Sequence, residues 1–126
     1  MDHQSSVMTQ MLKGRAFVVE DEALIFLNLK STLGELGWEV ASSATRIDKA
    51  EHEARSGEFS IAILDLNLNG TLTYPVAEIL RTRQIPFIFT TGYSRTGIES
   101  AYADTPLLQK PFSKEELDAA IRQALG

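Results

Sequence analysis

The 126-residue chain contains no cysteine. Disulfides, zinc–thiolate centres and thiol catalysis are therefore excluded. No apolar run approaches membrane-spanning length, and the N-terminus lacks the apolar core of a signal peptide. No membrane association is expected, and the cytoplasm is the default location. Positive charge is also scarce: 12 Lys and Arg stand against 17 Asp and Glu, a net charge of −5. That balance argues against a broad nucleic-acid surface. Only two histidines occur. His3 falls in a polar leader and His52 on the polar side of a short helix, so neither is expected in a site. Internal repeats and low-complexity tracts are missing too. What remains is 44% hydrophobic and 23% charged, the composition of a folded domain long enough to bury its own core.

Residues 1–13 read as a flexible leader and residues 14–126 as one domain. Apolar strand-like runs alternate with helix-like segments along that domain. The runs are Ala16–Val19, Trp38–Ala41, Phe59–Leu66, Pro86–Thr90 and Pro106–Leu108. Two of them, "FSIAILDL" and "IPFIFT", are almost continuously hydrophobic, which suits strands covered on both faces of a parallel sheet.

Four helices have local signals. Phe26, Leu29, Leu33 and Leu36 share one face of the first, and Gly37 can end it. Thr45 and Asp48 form a candidate capping box for a second, with Ile47, Ala50 and Ala54 inward. Pro75 suits the first position of a third, followed by Val76, Ile79 and Leu80. Ser113 and Glu116 make a capping box for the last, which turns Leu117, Ala120, Ile121 and Ala124 inward. The interval Ser94–Asp104 has few sizeable apolar residues, so a helix there should be short, irregular or mobile. Right-handed crossovers between such strands predict an α/β doubly wound sandwich. Ligands of these sheets sit beyond the carboxyl ends of the strands.

Polar groups collect at those ends. Glu20 and Asp21 follow the first strand, Asp65 lies near the end of the third, Thr90 and Thr91 end the fourth, and Lys110 follows the fifth. Singly, each has a plain structural reading: acids are favoured at helix N-termini, threonine in strands, and lysine on surfaces. Asp65 is the exception, because a carboxylate inside an apolar run is unfavourable unless paired or bound. Together the groups are chemically coherent. Three carboxylates without thiol or nearby imidazole make a hard oxygen site suited to magnesium. Lysine supplies a point charge for a phosphate oxygen, and a threonine hydroxyl can donate to another. One carboxylate, best Asp65, can act as nucleophile and become an acyl phosphate.

In this pattern the chain resembles the receiver domain of two-component response regulators, over roughly residues 14–126. The motifs that carry the resemblance are "VVEDE", "ILDLNLNG", "FTTGY" and "KPF", in that order. The resemblance implies a flavodoxin-like three-layer sandwich, with a five-stranded parallel sheet in the order 2-1-3-4-5 and a weak or irregular fourth helix. It implies that Asp65 accepts the phosphoryl group with Mg2+ as cofactor. Asp21 would then be a direct metal ligand, Glu20 a ligand partly through water, and Asn67 a ligand through its backbone carbonyl. Thr91 would be the switch hydroxyl and Lys110 the phosphoryl-binding cation, with a cis Lys110–Pro111 bond. The implied partners are a histidine kinase or phosphotransfer protein, with a possible downstream protein.

The fourth strand, "PFIFTTGY", is similar to a subgroup with a Phe-Ala-Thr-Gly-aromatic signature, with Thr90 in place of alanine. Most receivers also carry an aromatic three residues before the lysine; here that position is Leu107. Tyr93 and Tyr102 are the nearest substitutes, each more simply read as a partly exposed loop aromatic. Activation is expected to order a loop instead of shifting a packed helix. The chain reads as a free-standing receiver or one cut from a longer protein, not as an enzyme in its own right.

Other classes share parts of the pattern. Aspartyl-phosphate hydrolases carry a second acid two residues after the nucleophile, where this chain has Asn67. A degenerate receiver acting as a constitutive binding module would not need the whole acid, threonine and lysine set. A flavodoxin-like cofactor protein would lead its first strand into a hydroxyl-rich loop instead of acids.

Overall fold

The computed structural model describes residues 12–92 and 97–126. The expected leader lies almost wholly outside them, as does Tyr93. The chain alternates β1 (Gly14–Val19), α1 (Ala23–Glu35), β2 (Trp38–Ala44), α2 (Ile47–Ser56) and β3 (Ile61–Asp65). A small hairpin follows, β4 (Asn67–Leu68) and β5 (Thr71–Leu72), then α3 (Tyr74–Thr82), β6 (Phe87–Thr91), β7 (Leu107–Gln109) and α4 (Lys114–Leu125). The five main strands form a parallel sheet in the order β2-β1-β3-β6-β7. Because the hairpin takes two numbers, this is the expected 2-1-3-4-5 order of a doubly wound, flavodoxin-like sandwich. No helix among the described residues is long and apolar enough to cross a membrane.

Strand alternation divides the core into two layers. Phe17, Val19, Ala62, Leu64, Phe87 and Phe89 face one side, where α2 and α3 cover them with Ala50, Ala54, Val76 and Leu80. Ala16, Val18, Ile61, Ile63, Ile88 and Leu108 face the other, under Leu29 and Leu33 of α1 and Leu117 and Ile121 of α4. Removing a large side chain such as Phe17 or Phe89 from water contributes about 1.5–3 kcal/mol each. The same alternation governs the polar edge. Glu20 continues the series 16–18, Asp65 ends the series 61–63, and Lys110 follows Leu108. All three therefore project from one face at the carboxyl end of the sheet.

Local signals shape the ends of elements. Gly37, with φ 96°, follows α1 in a left-handed conformation that glycine adopts without a Cβ clash. Ser113 and Glu116 complete a reciprocal capping box on α4. The Thr45–Asp48 box does not form. Strand β2 runs on to Ala44, extended Arg46 becomes the N-cap, and Asp48 accepts instead from the Lys49 amide at 2.9 Å. With α2 starting at Ile47, the acid falls inside the first turn, where the dipole favours it. Pro75 takes the second helical position instead of the first.

Between β6 and β7, the described residues contain one 3-10 turn, Ser100–Tyr102. Its aromatic is not a partly exposed loop residue. Tyr102 is buried, stacked on Tyr74 with ring centroids 4.9 Å apart and set edge-on to Phe89 at 5.6 Å. Its hydroxyl donates to Glu78 Oε2, and the Arg81 guanidinium lies 4.4 Å from its ring centroid. Irregular backbone is thus combined with firm packing on α3.

Candidate functional site

The opening question of any buried carboxylate is what balances it. Glu20 is 2% exposed and Asp65 is 5% exposed. One ammonium serves both: Lys110 Nζ lies 2.8 Å from Glu20 Oε1 and 3.2 Å from Asp65 Oδ2. The second Glu20 oxygen accepts from the Glu22 amide at 3.1 Å, and Asp65 Oδ1 accepts from the Asn67 amide at 3.3 Å. Both oxygens of Glu20 are therefore engaged. No hydrogen bond or ion pair among the described residues engages the half-buried Asp21 carboxylate, which makes it the available acid of the group.

The charges mark the cluster. Burial is the main cause that lifts the Asp65 carboxyl from 3.8 to about 6; Lys110 pulls it back down and the Glu20 charge pushes it up. For Lys110 burial acts downward, but the hydrogen bond to Glu20 and the charge of Asp65 outweigh it and raise the ammonium above its usual value.

Ligand atoms of Glu20, Asp21 and Asp65 can all lie within 4.8 Å of one another. Three carboxylates at that spacing fit a hard divalent cation, which takes oxygen ligands. They stand beside an open cleft of about 530 Å3 lined in part by Asp21, Asp65, Asn67, Thr91 and Lys110. Thr91 is the last residue of β6, and its carbonyl accepts from the Lys110 amide at 2.7 Å, which ties β6 to the lysine. Lys110–Pro111 is cis, as expected. The Asn67 side chain accepts from the Gly70 amide at 2.7 Å, which ties its carbonyl oxygen to the hairpin.

Two features escaped the sequence reading. The hairpin that walls the cleft turns on Asn69 (φ 54°) and Gly70 (φ 87°), the left-handed pair of a two-residue hairpin. Asn-Gly between Leu68 and Thr71 was the signal for it. Thr73 is completely buried, and its hydroxyl donates to the Asp65 carbonyl at 2.8 Å; a lone threonine in a loop carries no such signal.

A family model described as the response regulator receiver domain matches residues 16–122. A probable transcriptional regulator, ycf27 of Porphyridium aerugineum, is 33% identical over 126 residues, spanning 91% of this chain and 49% of that protein. The solution structure of SdrG from Sphingomonas melonis Fr1 superposes with a TM-score of 0.80 at 36% identity, over 89% of this chain and 96% of that one. The BeF3-activated conformation of SdrG (Pseudomonas melonis Fr1) gives 0.77 at the same identity and coverage. A crystal structure of a mutant of the anti-anti-sigma factor PhyR from Bartonella quintana gives 0.75 at 27%, over 98% of this chain and 53% of that one. The chain thus spans about half the length of the curated relatives it matches.

Proposed function

The chain belongs to the response regulator receiver domain family, and we propose that it acts as a phosphorylation-dependent switch with Asp65 as phospho-acceptor. The observation that carries this reading is the shared cleft: three carboxylates, one lysine and one strand-end threonine from four separate stretches of sequence. The phosphoryl donor would be a phosphohistidine on a histidine kinase or phosphotransfer protein. An ionised Asp65 oxygen attacks phosphorus, a P–O bond forms as the P–N bond breaks, and the departing imidazole takes a proton. Lys110 would bind a phosphoryl oxygen, and the Thr91 hydroxyl would donate to another. Magnesium held by Asp21 and Asp65, with Glu20 acting through water and Asn67 through its carbonyl, would supply charge neutralisation. Water later cleaves the acyl phosphate and resets the switch. In this role the chain acts on itself alone.

The readout would run from Thr91 toward the segment packed on α3, and the downstream partner would be a protein, as the description of PhyR as an anti-anti-sigma factor suggests for that relative. A cytoplasmic setting follows from the proposed donors. The runner-up is a constitutive binding module, favoured by one observation: Tyr102 is held on α3 by Glu78 and Arg81 with no contact to the carboxylate cluster.

Amide NMR with magnesium and then beryllofluoride, a mimic of the phosphoryl group, separates the two. The switch reading expects shifts at Glu20, Asp21, Asp65, Thr91 and Lys110 that vanish in Asp65→Asn. Silence under both additions would sink it and leave the binding module.

A further inference from the structure

We propose that Thr73 is a positioning residue for phosphoryl transfer, its hydroxyl fixing the peptide that carries Asp65. This rests on Asp65 being the phospho-acceptor. The need for the contact arises in the sheet. The β1–β3 ladder ends at the pair Val19 and Leu64, one residue before Asp65. On the opposite side the ladder goes further, with the Leu66 amide donating to Thr90 at 2.8 Å. The Asp65 carbonyl is thus left at the frayed edge of β3, where the paired β1 residues have run out. A buried carbonyl there needs a donor from elsewhere.

Thr73 supplies it. Its Oγ1 donates to the Asp65 carbonyl at 2.8 Å and lies 3.3 Å from the Leu66 carbonyl, while its amide donates to that second carbonyl at 3.0 Å. One residue therefore holds the two peptides that lead from the acceptor into the Asn67 turn. That turn returns the Asn67 amide to Asp65 Oδ1 at 3.3 Å and so helps to set the carboxylate facing Lys110.

A plain helix-capping role does not account for this geometry. Thr73 stands at the N-cap of α3, where a threonine oxygen ordinarily accepts from an amide of the first turn. Here the side chain makes no capping bond, and the amides of Val76 and Ala77 donate to the Thr73 carbonyl instead. The hydroxyl is turned away from the helix and onto the acceptor strand. Thr73 is 0% exposed, so water cannot replace it without rearrangement.

The test compares the whole chain with Thr73→Val, Thr73→Ala and Thr73→Ser. The rate of phosphorylation by acetyl phosphate at saturating magnesium is read per folded molecule, with folding followed by circular dichroism. Misplacing a nucleophile by a fraction of an ångström should slow the valine and alanine variants about tenfold. Serine, which keeps the hydroxyl, should restore the rate to within about twofold of wild type. Should valine not fold, alanine carries the same expectation. A merely structural role would lower stability and leave the rate per folded molecule unchanged; that result would overturn the proposal. So would serine as slow as valine, which would assign the effect to the methyl group. Asp65→Asn is the control: if it labels like wild type, the phospho-acceptor reading fails along with this one, a result distinct from failure at Thr73 alone.

Discussion

Replacing Asp65 by asparagine should make the metal-free protein more stable at neutral pH. The carboxyl is 5% exposed, at the end of a wholly buried strand, and shares one ammonium with Glu20. Its value of about 6, against 3.8 for the free group, is set first by burial. The sign follows directly. Between those two values the folded chain keeps a proton that the unfolded chain releases, so stability falls as pH rises through that window and is level above it. A gap of about two units corresponds to ~3 kcal/mol of lost stability. Asparagine avoids the charge and keeps an acceptor for the Asn67 amide, and the pull of Lys110 at 3.2 Å is already contained in that gap. The net gain expected is therefore about 3 kcal/mol. Urea unfolding in EDTA, at about pH 7.5 and again at about pH 4, reads it. The variant should lead at the higher pH, and most of the lead should vanish at the lower one, where wild-type Asp65 is protonated. An Asp65→Asn protein less stable than wild type at the higher pH would refute the reasoning. A gain of equal size at both pH values would do the same.

Lys110→Met should have the opposite effect. It leaves two buried carboxylates facing each other and should lower metal-free stability by about 3 kcal/mol, with added magnesium restoring part of the loss in a urea titration. At the other end of α3, Tyr102→Phe removes only the hydroxyl that donates to Glu78, whose side chain is 61% exposed. The expected loss is about 1 kcal/mol or less. Tyr102→Ala also empties a buried ring position against Tyr74, Phe87 and Phe89, and should cost about 3–5 kcal/mol. Equal losses for the two variants in thermal unfolding would show that packing is not what holds the segment.

Period-two and helical patterns carried most of the fold. They are written over many residues, so an error at one end does not spread. Strand β2 was read as ending at Ala41 but continues to Ala44, because Ser42 and Ser43 occupy an edge strand where polar residues are tolerated. The failed Thr45–Asp48 box follows from that extension: once the strand runs on, the helix starts later and the spacing no longer meets its cap. Tyr102 was misjudged for a different reason. Its neighbours in sequence are small or polar, and its burial comes from Tyr74, Phe87 and Phe89, none of them local. Leu107, standing where most receivers have an aromatic, is only partly buried against that same layer. Tyr102 thus fills aromatic volume on the α3 side that position 107 does not supply.

The site was legible because strand parity and charge point to the same place. Residues 20, 65 and 110 extend three apolar series of one face, so the sheet that buries Val18, Ile63 and Leu108 also brings Glu20, Asp65 and Lys110 together. Hydrogen bonds from Thr73 and Asn67 were not legible, since they depend on a hairpin and a strand end whose geometry no periodicity records. Charge explains why such support is needed. Glu20, Asp21 and Asp65 with Lys110 leave a formal excess of two negative charges in one partly buried cluster. Repulsion of that kind pushes side chains apart unless backbone contacts hold them. A divalent cation would cancel the excess, and a phosphoryl group on Asp65 would bring back about one negative charge, so each ligand alters the force on the same few bonds. The cluster is tied through Thr91 and Thr73 to β6 and α3, the connection that the proposed switch requires.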